Sequence, residues 1–134
     1  MLLLDSEALS AVVHGPASRR NRVRALISEM RRRELPVATV AAVLAEVIRG
    51  RKADAAVFAG LRRERVQVHP VDTRTGVRAG QLLGRLRAGS EMAVDAFTVA
   101  VADLAGGAVI ATADTRDLQR LAAGASHVTV ADLT

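Results

Sequence analysis

The sequence contains no cysteine, tryptophan or tyrosine, and phenylalanine occurs only twice in its 134 residues. The absence of cysteine excludes disulfides, thiol nucleophiles and cysteine-ligated zinc. With so few aromatic residues the core must consist of valine, leucine and alanine, and we expect both rings, Phe58 and Phe97, to be buried in it. The three histidines are scattered at His14, His69 and His127. None is expected near the acidic residues described below, so histidine catalysis is not expected.

Long hydrophobic runs are also absent. A membrane span needs about 18 uncharged apolar residues. The best candidate stretch, around residues 92–105, is interrupted by Asp95 and Asp103. The opening MLLLD lacks the basic segment of a secretory signal peptide. We therefore expect one domain over residues 1–134, no membrane segment and a cytoplasmic location.

Positive charge predominates, with a formal net charge of +5, and Lys52 is the only lysine among the 19 basic residues. A basic protein favours a polyanionic partner such as nucleic acid. Arginine in place of lysine, together with much alanine and glycine, is also what codon bias alone would produce. Charge by itself leaves both explanations open.

Apolar segments of strand length alternate with helical segments along the chain. We expect strands at 2–4, 36–39, 66–68, 108–112 and 127–130. We expect helices at 6–14, 18–34, 40–48, 53–64, 73–87, 94–105 and 118–123. Strands separated by helices throughout predict an α/β fold, with a five-stranded parallel sheet and helices on both faces. The expected strand order is 3-2-1-4-5, which places the first and fourth strands side by side.

Several acidic residues are attached to these apolar elements. Asp5 and Asp114 each follow a buried strand, Asp95 lies in the first turn of a helix, and Glu46 borders the apolar stripe of another. Carboxylates at the carboxyl edge of a parallel sheet would converge and repel, which makes sense chiefly around a hard divalent cation. Oxygen ligands without histidine or cysteine favour Mg²⁺ or Mn²⁺. Such a site would suit phosphodiester hydrolysis by a metal-activated water.

Each acid also has a local structural explanation. Asp5 could cap the first helix, and Asp95 would suit the positive end of its own helix. Glu46 could pair with Arg49, three residues later. Asp114 could cap the last helix, with an acid three residues later in a capping-box arrangement.

Five segments together resemble PIN-domain proteins of the VapC type, the toxin ribonucleases of bacterial type II toxin–antitoxin pairs. They are LLLDSEAL at 2–9, VLAEVIRG at 43–50, VHPVDTRTGVRAGQLLG at 68–84, VDAFTVAVA at 94–102 and IATADTRDL at 110–118. The resemblance implies a three-layer PIN-like domain over residues 1–134. It also assigns metal-site positions to five acids, namely Asp5, Glu46, Asp95, Asp114 and Asp117.

The resemblance implies an Mg²⁺- or Mn²⁺-dependent endoribonuclease with a cognate antitoxin and commonly a homodimer. We interpret Ser6 and Thr112 as residues that orient the carboxylates. We interpret Arg49 and Arg116 as cations that hold RNA at the rim of the site. RNA recognition would depend on arginine–phosphate contacts and RNA shape, because buried phenylalanines could not stack on bases.

Two other functions stay open. The chain could be a catalytically silent protein-binding module that keeps the fold. It could also be a phosphohydrolase with Asp5 as a covalent nucleophile, although Glu7 stands where that chemistry usually has a second aspartate.

Overall fold

A sheet of five parallel strands in the order β3-β2-β1-β4-β5 runs through the middle of the molecule. The computed structural model describes residues 1–134. The strands are β1 (Leu2–Leu4), β2 (Val37–Val40), β3 (Gln67–His69), β4 (Ala108–Thr112) and β5 (Val128–Asp132). Leu3 pairs with Ala38 on one side and with Ile110 on the other. The predicted parallel sheet and its strand order are therefore confirmed.

Seven helices cover the sheet. They are α1 (Ser6–Val13), α2 (Ala17–Arg32), α3 (Ala41–Val47), α4 (Asp54–Arg63), α5 (Thr73–Leu86), α6 (Ala93–Leu104) and α7 (Thr115–Ala122), with a 3₁₀ turn at Ser90–Met92. Helix α1 packs against α2, α3 and α4, whereas α5, α6 and α7 pack against one another. Right-handed crossovers place these two groups on opposite faces. The predicted α/β class with helices on both faces is confirmed, and most boundaries shift by only one or two residues.

The central strand of the sheet is more buried than the strand at its edge. All three leucines of the central strand β1 are buried, as expected for a strand with a neighbour on each side and helices on both faces. On the edge strand β3, Gln67 and Val68 are exposed. The buried core consists of leucine, valine, alanine and isoleucine with one methionine, which agrees with the composition.

The expectation that both phenylalanines are buried is wrong. Phe58 lies on α4 with 45% of its surface exposed, and Phe97 on α6 is only partly buried. The buried stripe of α4 contains Asp54, Val57 and Leu61. Phe58 is one residue past Val57, and so points about 100° away from this stripe. The surface therefore does carry an aromatic ring that can stack on a base.

The parallel strands bring three chain segments to one edge of the sheet. The backbone N–H of Asp5, just after β1, donates to the carbonyl of Ala111 in β4 at 3.3 Å. On the other side, the Thr39 hydroxyl of β2 donates to the carbonyl of Leu4 at 2.7 Å. The ends of β1, β2 and β4 are thus adjacent. No helix is both long and apolar enough to cross a membrane.

Candidate functional site

Asp5 is a buried carboxylate at the point where β1 ends and α1 begins. One of its oxygens accepts a hydrogen bond from the backbone N–H of Ala8 at 2.8 Å, so Asp5 is the N-cap of α1. Only 6% of the residue is exposed, and it makes no ion pair with any arginine. Its predicted capping role is confirmed, and it also brings a negative charge to the sheet edge.

Asp95 occupies the first turn of α6 and is partly buried. No cationic side chain pairs with it. The pKa of Asp95 is raised from 3.8 to about 6, chiefly by burial and then by the charges of Glu46, Asp117 and Asp114. The structure therefore brings these four acids close enough for their charges to interact.

Asp5 belongs to the same group of charges. Its pKa is raised from 3.8 to about 6, and burial is the largest cause. The hydroxyl of Thr112 and the N–H of Ala8 act in the opposite direction, whereas the charges of Asp95 and Glu7 add to the increase. Two neighbouring carboxyls that both resist ionisation mark a place where positive charge would be stabilising.

The other acids differ in how firmly they are held. Glu46, near the end of α3, is exposed and has no ion-pair or hydrogen-bond partner. Asp114 is exposed and caps α7 through the N–H of Arg116 at 3.4 Å. Asp117 lies in the first turn of α7 and pairs with Arg120 at 3.3 Å. Asp117 is therefore already partly neutralised, unlike the other acids around Asp95.

Thr112 and Ser6 are placed differently. Thr112, at the end of β4, is buried. Its hydroxyl accepts from the N–H of Asp114 at 2.9 Å and has one hydrogen to donate, either to the carbonyl of the same residue at 3.1 Å or to the carboxylate of Asp5. Thr112 therefore fixes the turn that directs Asp114. Ser6 is the first residue of α1 and partly buried, and its hydroxyl contacts none of the acids.

Arg49 and Arg116 both lie beside candidate acids, as their sequence positions imply. The Arg49 guanidinium donates through Nη1 to the carbonyls of Ala45 at 2.6 Å and Ile48 at 2.9 Å. It does not pair with Glu46, so that local explanation of Glu46 is wrong. Arg116 is exposed and its guanidinium has no partner.

The donor set has the chemistry that a hard divalent cation requires. Asp5, Glu46, Asp95 and Asp114 supply only carboxylate oxygens, and no arginine or lysine neutralises them. As the side chains stand, no three acidic or histidine groups converge closely enough to enclose an ion. Enclosing one requires rotation about side-chain bonds, which the exposed Glu46 and Asp114 are free to make. The residues present therefore fit such an ion after a local rearrangement.

Sequence reasoning missed one buried acid beside the site, Asp54 at the start of α4. Its carboxylate binds the backbone of the turn that follows α3. The available signal was an aspartate at a helix start, four residues after Gly50.

Comparison with known proteins identifies related folds. The family model of the PIN domain matches residues 2–124. Two solved structures are similar over their whole length. VapBC from Salmonella typhimurium bound to DNA is 19% identical, with 99% of this chain and 98% of that chain covered and a TM-score of 0.66. VapBC2 from Rickettsia felis bound to a promoter DNA fragment is 15% identical, with 98% and 97% covered and a TM-score of 0.62. No curated protein sequence matches significantly.

Proposed function

Because the chain belongs to the PIN-domain family, we propose that it is a VapC-type toxin, an endoribonuclease that depends on Mg²⁺ or Mn²⁺. The proposed ligands are Asp5, Glu46, Asp95 and Asp114, with Asp117 as a fifth acid. The proposed domain covers residues 1–134.

The observation that carries this proposal is the uncompensated negative charge around Asp95. A carboxylate flanked by three other acids and by no cation destabilises the fold unless a ligand compensates for it. Another acid on the same helix is neutralised. Asp103 accepts from Arg78 at 2.7 Å and from the N–H of Ser126 at 3.0 Å. The contrast within one helix, α6, is what favours a functional role for Asp95.

The residues of the chain would divide the work as follows. A bound divalent ion supplies Lewis-acid chemistry, by activating water and offsetting negative charge on the phosphodiester. Asp5 and Asp95 are the partly or fully buried acids and would fix the position of the ion. Glu46 and Asp114 are exposed and would close around it. Thr112 orients the Asp114 turn through its hydrogen bond with the N–H of Asp114.

Substrate binding would use the basic side chains near these acids. The exposed guanidinium of Arg116 and the Nε and Nη2 groups of Arg49 can donate to phosphate oxygens. Phosphate contacts give affinity without base specificity. The exposed ring of Phe58 adds a possible stacking surface, which the composition alone did not predict.

Cleavage of single-stranded RNA by the purified protein tests the proposal. We expect cleavage in Mg²⁺ or Mn²⁺, none in chelator, and none from Asp95→Asn. Asp72→Asn is the matched control, because Asp72 caps α5 through the N–H of Thr75 and asparagine caps equally well. Cleavage by Asp95→Asn at the parent rate would show that the assigned site is wrong. A folded wild-type protein that binds partners but never cuts RNA would favour the silent module.

The similarity to VapBC complexes supports an antitoxin partner for this chain. The two solved structures are complexes that carry a VapBC name, and the proposal extends this to a small cognate antitoxin that blocks the acidic site. Expression alone should arrest growth, and co-expression of the antitoxin should restore it. The Asp95→Asn variant should not arrest growth, because it should not cleave RNA. It should still co-purify with the antitoxin. Normal growth with soluble wild-type protein would contradict the toxin assignment.

A homodimer is part of the same proposal. Val68, Val71 and Val77 are exposed apolar side chains around β3 and α5 that a second copy could cover. Light scattering after size-exclusion chromatography should give twice the mass of one chain. A mass of 14.1 kDa would identify a monomer instead.

A further inference from the structure

The turn between α3 and α4 is closed by the side chain of Asp54. Both carboxylate oxygens accept from the N–H of Arg49 at 3.2 Å. One of them also accepts from Gly50 at 2.7 Å and from Arg51 at 3.0 Å. Asp54 is only 8% exposed. No other carboxylate in the protein accepts from three consecutive backbone N–H groups.

These bonds fix the backbone conformation of the turn, which glycine at position 50 allows. Gly50 has a φ of +73°, and the turn directs three amide dipoles inward. Burial alone raises the pKa of Asp54. The N–H groups of Arg49, Arg51 and Gly50 and the nearby charge of Arg51 outweigh this and hold the pKa below its ordinary value. The carboxylate therefore stays ionised and the turn stays closed at neutral pH.

The closed turn forms one wall of a groove between α1, α3 and α4. The groove has a volume of about 690 Å³ and is lined by polar residues that include Ser10, His14, Glu46, Arg49 and Arg51. Its apolar lining comes from valines and alanines. A volume of this size lies within the range of about 300–1,000 Å³ that is usual for small-ligand sites. Glu46 lines this groove and is also one of the acids around Asp95, here called the acidic centre, so the groove adjoins that centre.

The two arginines on this wall are not equivalent. Arg49 is anchored, because its Nη1 group donates to two carbonyls at the end of α3. Arg51 is exposed and its guanidinium forms no hydrogen bond or ion pair. An anion in the groove would therefore find all donors of Arg51 available. The unpaired guanidinium of Arg51 suits a phosphate, although the groove also holds the carboxylates of Glu46 and Asp54, and the valine and alanine lining suits the attached ribose or base.

We propose that Asp54 is a positioning residue for the substrate, because it closes the Arg49–Arg51 turn and so holds Arg51 at the groove where the RNA strand leaves the acidic centre. This inference rests on the proposed ribonuclease function. To that function it adds a path for the RNA strand and a phosphate-binding residue, Arg51, which acts beside the acids.

The first test compares Asp54→Asn with Asp72→Asn. An asparagine at position 54 has one accepting oxygen, and its amide would oppose an N–H group of the turn. We expect Asp54→Asn to raise the KM for single-stranded RNA about tenfold with little change in kcat, since a charge-assisted phosphate contact is lost. Asp72→Asn should leave both constants unchanged. An unchanged KM, or an equal loss in both variants, would overturn the proposal.

A second measurement does not depend on how Asp54→Asn folds. RNA binding is measured across a salt series in Ca²⁺ to suppress cleavage, for wild type, Arg51→Ala and Arg74→Ala. Arg74 is exposed, unpaired and close to Asp72. Arg51→Ala should lower the log–log salt slope by about 0.7 for a single strand, and Arg74→Ala should not.

These experiments distinguish a failure of the groove assignment from a failure of the ribonuclease function. If the wild-type protein binds and cuts RNA but Arg51→Ala keeps the full slope, only the groove assignment fails. If Arg51→Ala keeps the full salt slope of RNA binding but binds the antitoxin more weakly, the groove binds the protein partner. That result would also overturn the substrate role of Asp54. If the wild-type protein neither binds nor cuts RNA, the ribonuclease function itself fails, and the substrate role of Asp54 fails with it.

Discussion

Removing the charge of Asp5 should stabilise the metal-free protein, although the same change abolishes activity. Asp5 is buried and its pKa is raised to about 6, so the folded protein binds a proton more tightly than the unfolded chain does. Above pH 6 the folded state must hold a carboxylate that it disfavours. Asparagine at this position keeps the acceptor for the N–H of Ala8 and removes the charge.

The magnitude follows from linkage between protonation and folding. An increase in pKa from 3.8 to about 6 makes the ionised Asp5 cost about 3 kcal/mol at pH 7 and roughly half of that at pH 5. The penalty vanishes below pH 3.8 and is nearly complete above pH 6. Asp5→Asn should therefore be more stable than the wild type in chelator, by a margin that grows by about 1 kcal/mol between pH 5 and pH 7.

Denaturant unfolding of both proteins at pH 5, 6, 7 and 8 measures this margin, and the comparison cancels the titrating groups that do not interact with Asp5. The acids with lowered pKa, such as Asp103, lose their stabilising effect only as the pH falls below about 4, outside this window. Mn²⁺ at 1,000 times its Kd should reverse the order, since a ligand at that concentration stabilises the wild type by about 4.1 kcal/mol. A margin that is constant between pH 5 and 7 would refute the reasoning.

Four further predictions concern a helix, the turn before β4, the end of β4 and the basic rim. Gly80→Ala should stabilise the protein by about 0.5–1 kcal/mol, since an added Cβ meets nothing within 4 Å. Gly107→Ala should destabilise it, because the Cβ would lie 2.7 Å from the carbonyl of His127 at a φ of +121°; thermal unfolding measures both. Thr112→Val should lower cleavage about 10- to 100-fold without unfolding, as checked by circular dichroism. Arg116→Ala should lower the salt slope of RNA binding by about 0.7, whereas Arg32→Ala, which breaks a surface ion pair with a glutamate, should not.

The sheet could be predicted from sequence because its central strands are uniformly apolar. The run Leu2–Leu4 has no alternation, and a strand of this kind is stable only with neighbours on both sides. The same logic placed Asp5 and Asp114 at one edge, since parallel strands end together. The association of Asp95 with these acids follows from the helix that precedes β4, and the charge of Asp114 is among those that raise the pKa of Asp95.

The side-chain contacts could be predicted less well. Glu46 and Arg49 have the spacing of an ion pair, yet the guanidinium prefers the free carbonyls at the end of α3. Helix ends offer unpaired acceptors that sequence spacing does not reveal. The role of Asp54 depends on the conformation of a glycine in a turn, which no periodicity reports. The scarcity of aromatic residues favours burial of Phe58, but the residue lies outside the apolar stripe of α4 and is therefore exposed.

Two candidate ligands also cap helices, and this determines what a substitution measures. Asp5 caps α1 and Asp114 caps α7, each through a backbone N–H group. Alanine at either position removes the charge and the cap together, and loss of a cap costs about 1 kcal/mol. Asparagine removes the charge alone. Asp5→Ala should therefore be about 1 kcal/mol less stable than Asp5→Asn at every pH in chelator, while both are equally inactive. If the two variants were equally stable, the bond to Ala8 would contribute nothing to folding, and Asp5 would be retained for its charge alone.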